Sequence, residues 1–376
     1  MSDNKNKFDT DPQLNSDEAG ASCVAPVQLS RRKFLGATAA VGAGAMLMPF
    51  GSSFAASNKG TVVYLSWGGF YQESQKKAWC DPFEKESGVR VVQAGPMNEA
   101  KVRTSVASGS PEFDIADATD IFLYYGSADN LFEPIDYSVV NRNTLPPQFT
   151  HDYGVGNCVW SYNVCYNTDK FSEGTGPQTW TDIFDTKRFP GKRILRDRVY
   201  GMLEVALLAD GVAPADLYPL DVERAFRKLD TIKDDLILWK SASQAQQLMV
   251  DGVASCGLLH NGRIFDAVKK GGHLAIGWEQ NVQSVDYHVV LKGAPNKANA
   301  MALIERSIQP DAQAAFANMT GYAPVNQAAF EFIDADVAPW LPTEPSNIEK
   351  GFVLNADYWR ENLKELADEW TKWKLS

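Results

Sequence analysis

Short apolar segments alternate with amphipathic segments along the chain from about residue 60 onwards. In its first part, three β-rich runs predict strands at Thr61–Ser66, Val89–Gln93 and Phe113–Asp117. Between the first two runs, Trp79 and Phe83 lie four residues apart, which places them on one face of a helix that ends before Gly88. Strands that alternate with helices predict a doubly wound α/β sheet, in which ligands bind at the carboxyl ends of parallel strands.

The same alternation continues through the rest of the chain. Further strands are predicted at Cys158–Tyr166, Lys192–Leu195, Ala254–Leu259 and Val285–Leu291. Apolar residues at helical spacing predict helices at about Ala100–Ala107, Tyr200–Ala209, Asp221–Thr231, Ala242–Val250, Arg263–Lys269, Asn299–Ile308, Asp311–Met319 and Trp359–Trp373. We therefore expect two α/β lobes, one from residues 56–163 and 287–325 and the other from residues 164–286 and 326–376.

Residues 1–55 predict an export signal. Arg31 and Arg32 precede an uncharged run rich in Ala and Gly, Phe34–Phe50, which is typical of a twin-arginine signal. The small residues of Ser53–Ala55 predict cleavage before Ala56. A membrane anchor is the alternative, but a spanning helix needs roughly 20 well-apolar residues. We expect the remaining 376 − 55 = 321 residues to reach the periplasm through the twin-arginine translocation machinery.

Charge excludes some partners. The signal holds five basic and five acidic residues, so the whole net charge of −11 falls on the exported protein. An acidic surface opposes binding to nucleic acid and to anionic lipid.

The chemistry-bearing residues give little sign of catalysis or of a cofactor. Cys80, Cys158, Cys165 and Cys256 show no metal or redox spacing, and an oxidising compartment leaves a disulfide open. Buried free thiols are the simpler interpretation. No nucleophile elbow, phosphate loop or pair of zinc-binding histidines is found, so we expect neither a metal, a cofactor nor an enzyme. A secreted α/β enzyme that uses the same cleft remains the alternative.

Several ordered motifs resemble those of type II periplasmic solute-binding proteins of ABC importers, and most nearly those of the spermidine/putrescine-binding group. The resemblance covers roughly residues 60–375 and rests on Ser66-Trp67-Gly68-Gly69-Phe70-Tyr71, Phe113-Asp114-Ile115 with Thr119-Asp120, Trp160 with Tyr166-Asn167, Thr179-Trp180-Thr181-Asp182, Asn261-Gly262 and Gly321-Tyr322. It implies two lobes that close on a small solute about a hinge. It also implies a membrane permease as partner, and we expect the protein to act as a monomer.

The departures from the polyamine-binding pattern concern charge. Arg198 and Gly201 stand where that group has acids, and His260 stands where it has Trp, whereas Asp286 matches an acid of the group. If the match shifts by one residue, Asp197 holds the acidic place instead. An arginine suits a carboxylate and repels a diamine. We therefore expect an ω-amino acid such as γ-aminobutyrate, or a related carboxylate, with a polyamine as the alternative.

The predicted ligand-binding residues combine the family motifs with the strand ends. They are Trp67, Gly68, Gly69, Tyr71, Thr119, Asp120, Trp160, Arg198, Tyr200, His260 and Asp286. Arg263 and Tyr322 are weaker candidates. The aromatic residues would form walls or cover an ammonium group, and the glycines would let a ligand approach the backbone.

Overall fold

The computed structural model describes residues 60–376, so the predicted export signal and its cleavage site lie outside the described residues. Within this range the chain forms ten strands: β1 (Thr61–Leu65), β2 (Arg90–Ala94), β3 (Ile115–Thr119), β4 (Thr150–His151), β5 (Gly154–Asn167), β6 (Arg193–Arg196), β7 (Leu236–Trp239), β8 (Cys256–His260), β9 (Leu274–Val290) and β10 (Phe352–Val353).

Helices occupy most of the connections between the strands. In residues 60–376 the α-helices are α1 (Gly69–Gln75), α2 (Asp81–Ser87), α3 (Glu99–Ala107), α4 (Asp120–Ala128), α5 (Trp180–Phe184), α6 (Met202–Ala209), α7 (Val222–Asp230), α8 (Ala242–Val250), α9 (Asn261–Lys269), α10 (Lys297–Ser307), α11 (Pro310–Thr320), α12 (Pro345–Ile348) and α13 (Ala356–Leu375). A π-helical turn, Lys76–Cys80, joins α1 to α2. Short 3-10 turns lie at Arg142–Thr144, Pro147–Phe149, Pro214–Asp216, Lys233–Asp235, Gln327–Phe332 and Ala338–Trp340.

The strands form one mixed sheet in the order β2-β1-β3-β9-β5-β8-β6-β7. Strands β1, β2 and β3 run parallel to one another and form the first wing. Strands β6, β7 and β8 are also parallel and form the second wing. The predicted α/β class, with mixed and parallel strands and flanking helices, is confirmed. The prediction did not show that the two wings belong to a single hydrogen-bonded sheet.

The long strands β5 and β9 form a central antiparallel pair that joins the two wings. β9 pairs with β3 of the first wing, and β5 pairs with β8 of the second wing. The expected lobe boundaries, at residues 163 and 286, fall inside these two strands. The division into lobes remains a prediction.

Local sequence signals explain most of the helix boundaries. The helix predicted over about residues 72–87 begins at Gly69 and ends before Gly88, whose left-handed conformation terminates α2. Trp79 and Phe83 are both buried, as their spacing predicts. The side chain of Thr119 accepts a hydrogen bond from the backbone of Phe122 and so caps α4, which the sequence analysis did not predict as a helix.

Two features of the sheet differ from the predictions. The strand predicted at Val285–Leu291 is longer and begins at Leu274, because its first residues pair with the buried second half of β5. Strand β7, which was not predicted, spans only four residues, three of which are partly exposed. It shows neither a long apolar run nor strict alternation, so its pattern gives little signal.

No helix within residues 60–376 is long and apolar enough to cross a membrane.

Gly257 should be essential to the second wing. It lies in β8 between Cys165 of β5 and Ile194 of β6, with a φ of 148°, and a Cβ there would collide with the backbone of Ile194. We expect Gly257→Ala to lower the free energy of unfolding by about 3 kcal/mol, measured by chemical denaturation. Gly109→Ala is the matched control, since Gly109 also has a positive φ but its Cβ would meet no atom within 4 Å. Equal losses in the two variants would contradict this account.

Candidate functional site

A cavity of about 590 Å³ opens where the carboxyl ends of the parallel strands of both wings converge. Trp67 follows β1 and Thr119 ends β3, so both reach the cavity from the first wing. From the second wing, Arg196 ends β6, Trp239 ends β7 and His260 ends β8. This is where the α/β architecture predicts ligands to bind.

Asp286 forms the floor of the cavity. It lies in β9 between Thr119 of β3 and Cys158 of β5, and its carboxylate is buried. Trp67 Nε1 donates to Asp286 Oδ2 at 2.8 Å, and Trp160 Nε1 donates to Oδ1 at 2.9 Å. Burial and the negative charge of Asp117 raise the pKa of Asp286 to about 8. The floor is therefore a carboxyl group that burial keeps largely protonated at neutral pH until a cation approaches it.

A buried polar network lies behind this floor. Tyr64 Oη donates to Asp117 Oδ1 at 2.7 Å and lies 3.1 Å from His288 Nδ1. Asn157 Nδ2 donates to the same oxygen of Asp117 at 2.9 Å. Tyr71 Oη lies 3.3 Å from both Asn157 Oδ1 and Asp286 Oδ2, so it connects the network to the floor. These contacts hold Tyr71 in place beneath the cavity.

The Gly68–Gly69 pair lets the chain turn sharply between β1 and α1. Both residues have positive φ values, 81° and 60°, which glycine adopts without strain. A Cβ on Gly69 would lie 3.3 Å from Ser243 Oγ and 3.7 Å from an Nη atom of Arg263. The glycines therefore allow the first wing to approach residues that follow β7 and β8.

Two arginines enter the cavity from the turn that follows β6. The backbone N–H of Arg198 donates to the carbonyl of Arg196 at 2.8 Å, and both side chains line the cavity. Asp197, between them, lies outside the lining: its carboxylate accepts from Trp370 Nε1 at 3.0 Å and from Lys374 Nζ at 2.6 Å. Of the two assignments that the sequence left open, this geometry places Arg198 in the cavity and directs Asp197 towards α13.

The guanidinium of Arg198 is half-buried and lies against the first wing. Its Nη2 lies 3.4 Å from Glu99 Oε1, and its Cζ lies 4.6 Å from the centre of the Tyr200 ring. Its Nη1 is buried and has no hydrogen-bond partner within residues 60–376. Arg196 donates to the hydroxyl of Tyr162 and stacks over Trp239 at 5.4 Å. Arg198 thus keeps a buried donor free for a ligand.

A third guanidinium, that of Arg263, stands near the start of α9. It is buried, its Nη1 donates to Ser243 Oγ at 3.3 Å, and its Cζ lies 4.6 Å from the centre of the Phe70 ring. Its Nε has no partner in the described part of the chain. Arg263 therefore contacts both wings and, like Arg198, retains a buried donor.

His260 lies among the three arginines. Its ring contacts Tyr162, Trp160 and Trp239, with centroid distances of 4.7, 5.1 and 5.7 Å. Burial, together with the charges of the arginines, holds the pKa of His260 well below its usual value. The imidazole is therefore neutral at pH 7 and adds no positive charge. Its Nδ1 is without a partner among residues 60–376.

Positive side chains outnumber acids in the cavity wall. Five basic residues contribute to it, and two acids, Glu99 and Asp286, oppose them; the basic residues are Lys101, Arg196, Arg198, Lys240 and Arg263. The excess is three charges with both acids ionised and four with Asp286 protonated. A protein with a net charge of −11 thus presents a positive cavity, which favours an anionic group in the ligand.

The structure brings most of the predicted site residues together. Seven of them line the cavity, as do the weaker candidates Arg263 and Tyr322; the seven are Trp67, Tyr71, Thr119, Trp160, Arg198, His260 and Asp286. Gly68, Gly69, Asp120 and Tyr200 lie outside the lining. Asp120 accepts from the backbone of Ile121, and burial raises its pKa to about 6, whereas Tyr200 packs between Arg198 and Trp359.

The sequence analysis missed Arg196, Trp239 and Glu99, all of which line the cavity. The sequence did contain a signal for Arg196. This residue stands two residues before Arg198 at a strand end, and side chains two residues apart in a strand point to the same face of the sheet. Trp239 was missed together with its strand. Nothing in the local sequence marks Glu99, which begins α3 after the turn that follows β2.

The cysteines do not contribute to the cavity wall. All four within the described range are buried free thiols, as the simpler interpretation held. Burial raises the pKa of Cys158 well above its usual value. Residues 60–376 contain no cluster of three or more His, Cys, Asp or Glu side chains that could hold a metal ion.

Known proteins resemble this chain over most of its length. It is 35% identical over 338 residues to the gamma-aminobutyric acid-binding protein of Pseudomonas aeruginosa PAO1, which covers 86% of this chain and 94% of that protein. It is 22% identical over 307 residues to the spermidine/putrescine-binding periplasmic protein of Salmonella typhimurium LT2, covering 79% and 86% of the two chains.

A solved structure is similar in both sequence and fold. The PBP AgtB from A. tumefaciens R10, in complex with agropinic acid, is 39% identical and superposes with a TM-score of 0.80, covering 85% of this chain and 99% of that one. The sequence profile of the family described as bacterial extracellular solute-binding protein matches residues 78–343. Since this match covers more than half of the chain, the chain belongs to the family of bacterial extracellular solute-binding proteins.

Proposed function

We propose that this protein is the periplasmic substrate-binding component of an ABC importer and that it captures a small solute with a carboxylate and an amine. The observation that carries the proposal is the presence, in one cavity, of the half-buried guanidinium of Arg198 and the buried carboxyl group of Asp286. A γ-aminobutyrate-like ω-amino acid has both charges. The gamma-aminobutyric acid-binding relative, at 35% identity, supports this ligand class.

The carboxylate would bind at the turn after β6. Arg198 offers its unpartnered Nη1, and Arg196 stands beside it in the cavity wall. A guanidinium can hold a carboxylate through two parallel hydrogen bonds, which an ammonium group cannot reproduce. A bound carboxylate would satisfy the buried donor, so the ligand would remove an unfavourable feature of the empty site.

The amine would bind at the floor. A carboxylate can accept about four hydrogen bonds, so Asp286 retains room for an ammonium group beside its two Trp donors. Trp67 and Tyr71 line the same part of the cavity, where aromatic rings attract a cation by about 0.5–2 kcal/mol each.

Closure of the two lobes would trap the ligand and present the closed form to a membrane permease. Contacts that bridge the wings support this step: Glu99 of α3 pairs with Arg198, and Phe70 of α1 stacks under Arg263. A ligand drives closure only if it binds the closed form better than the open form. A solute held by Asp286 on one side and Arg198 on the other meets this requirement.

A polyamine is the second candidate, supported by Glu99, Asp286, the aromatic walls and the spermidine/putrescine-binding relative. The excess of basic side chains in the same wall opposes it, because a diamine would be surrounded by like charges. We favour the amino acid for this reason. The site holds aromatic and charged side chains suited to binding, and we propose no catalytic step.

Replacement of Arg198 should weaken carboxylate binding specifically. We expect Arg198→Gln to reduce the affinity for γ-aminobutyrate roughly 10–100-fold, because a charge-assisted hydrogen bond is lost. Isothermal titration calorimetry would measure it, after a thermal-shift screen of amino acids, small acids, putrescine and spermidine. Arg188→Gln is the control, since Arg188 is an exposed arginine paired with Asp182. Tight polyamine binding without γ-aminobutyrate binding would establish the second candidate instead.

Binding of the amine should depend on pH through Asp286. The ammonium group needs the ionised carboxylate, whose pKa is about 8 in the empty site, so below that pH binding must release a proton. We expect affinity to rise by up to about tenfold per pH unit between about pH 6 and pH 8 and then to level off. Asp286→Asn should bind more weakly and show no such rise. A wild-type affinity independent of pH would place the amine elsewhere.

The predicted export route depends on residues 1–55, which lie outside the described residues. We expect replacement of Arg31 and Arg32 by Lys to block appearance of the protein in the periplasmic fraction, because the signal requires the arginine pair. Lys33→Arg preserves charge next to the pair and should leave export unchanged. Continued export of the double Lys variant would reject the twin-arginine route.

A further inference from the structure

We infer that the cavity contains a second anion-binding subsite and that its ligand is an α-amino diacid: one carboxylate binds Arg198, while a second carboxylate, on the amine-bearing carbon, binds Arg263 and the start of α8. This inference rests on the proposed function and adds a second acid group to the ligand. It follows from four observations on the cavity wall.

First, Arg263 is a buried cation that no acid neutralises through an ion pair within residues 60–376. The nearby Asp266 is paired with Lys270 instead, at 2.8 Å. Arg263 donates to Ser243 Oγ and interacts with the hydroxyl of Tyr322, but its buried Nε has no hydrogen-bond partner within residues 60–376. A buried charge in this state is costly unless a partner is supplied, and a carboxylate is the partner whose geometry fits a guanidinium.

Second, the N-terminus of α8 faces the same part of the cavity. Ser241 caps this nine-residue helix, and Ser241, Ala242 and Ser243 all line the wall. The amide groups that begin a helix have no carbonyl partner inside it, and they carry the positive end of the helix dipole. Such a terminus binds anions, and here the hydroxyl of Ser243 already orients Arg263 beside it.

Third, this subsite is separate from the one at Arg198 but adjacent to the amine site. Arg198 contacts Glu99 and Tyr200, whereas Arg263 contacts Ser243 and Phe70, so the two arginines share none of these partners. Arg263 and Tyr322 both line the cavity, and the Tyr322 ring lies 5.5 Å from that of Tyr71, which reaches Asp286.

A carboxylate at Arg263 would therefore lie next to an ammonium at Asp286, which is the arrangement of an α-amino acid group. The distal carboxylate would then extend across the cavity to Arg198. The fourth observation is the charge of the wall, since an excess of three or four positive charges is better matched by two carboxylates than by one. The cavity volume of about 590 Å³ also leaves room for a ligand larger than γ-aminobutyrate.

Matched ligands test the inference. Glutamate is γ-aminobutyrate with one carboxylate added at the amine-bearing carbon, and α-aminoadipate has the same relation to δ-aminovalerate. By calorimetry on the exported protein, we expect the better diacid to bind at least about tenfold more tightly than its monoacid. In Arg263→Gln the ratio of diacid affinity to monoacid affinity should fall to about one. In Ser243→Ala the advantage should shrink, and in Arg198→Gln both acids should weaken.

The outcomes are distinct. If monoacids bind and the added carboxylate gives no gain, or if Arg263→Gln weakens both members of a pair equally, the second subsite is wrong and the proposed function stands. If neither series binds, both are wrong. Thermal melting of each variant checks folding, and Arg263→Lys, which keeps the charge but not the planar fork, should retain part of the diacid advantage if Arg263→Gln does not fold.

Discussion

The antiparallel pairing of β5 and β9 is the constraint on which the site depends. These two strands join the parallel wings, and their register puts Asp286 opposite Cys158 and Trp160 opposite Ser284. Only in this register does the indole of Trp160 reach the carboxylate of Asp286. A shift of one residue would turn either side chain to the other face of the sheet and remove the floor of the cavity. The ladder between these strands thus fixes the site as well as the fold.

The cavity contains positively charged groups whose hydrogen bonding a bound ligand would complete. Arg198 and Arg263 lie against aromatic rings, and each retains a buried nitrogen that has no hydrogen-bond partner within residues 60–376. Such groups lower the stability of the folded protein, because other contacts do not fully compensate for their loss of hydration. A carboxylate that reaches them gains more than it would at a solvated arginine. The same feature therefore supports both the proposed binding of an anionic group and the proposed closure around it.

How far the sequence predicts this arrangement depends on the range of the interaction. Local signals located most helices and strands, including the end of α2 at Gly88 and the buried pair Trp79 and Phe83. Motif resemblance located Trp67, Arg198 and Asp286 in the cavity.

What could not be predicted is set by distant partners. Asp197 turns away from the cavity because Trp370 and Lys374, more than 170 residues later, hold it. Arg196 is oriented by Tyr162 and Trp239 from two other strands, and no local pattern encodes that contact. The first half of β9 is likewise fixed by its pairing with the second half of β5.

The floor adapts its charge to the ligand, and this separates amino acids from polyamines. Burial and Asp117 raise the pKa of Asp286 to about 8, so an anion entering the site would meet less repulsion from it than from an ordinary aspartate. An approaching ammonium group ionises it and gains a partner. A polyamine would need a second free acid, but Glu99 is already shared between Arg198 and the hydroxyl of Tyr125. One titratable carboxyl group among several fixed cations therefore supports the proposed solute, which has a single amine and at least one acid.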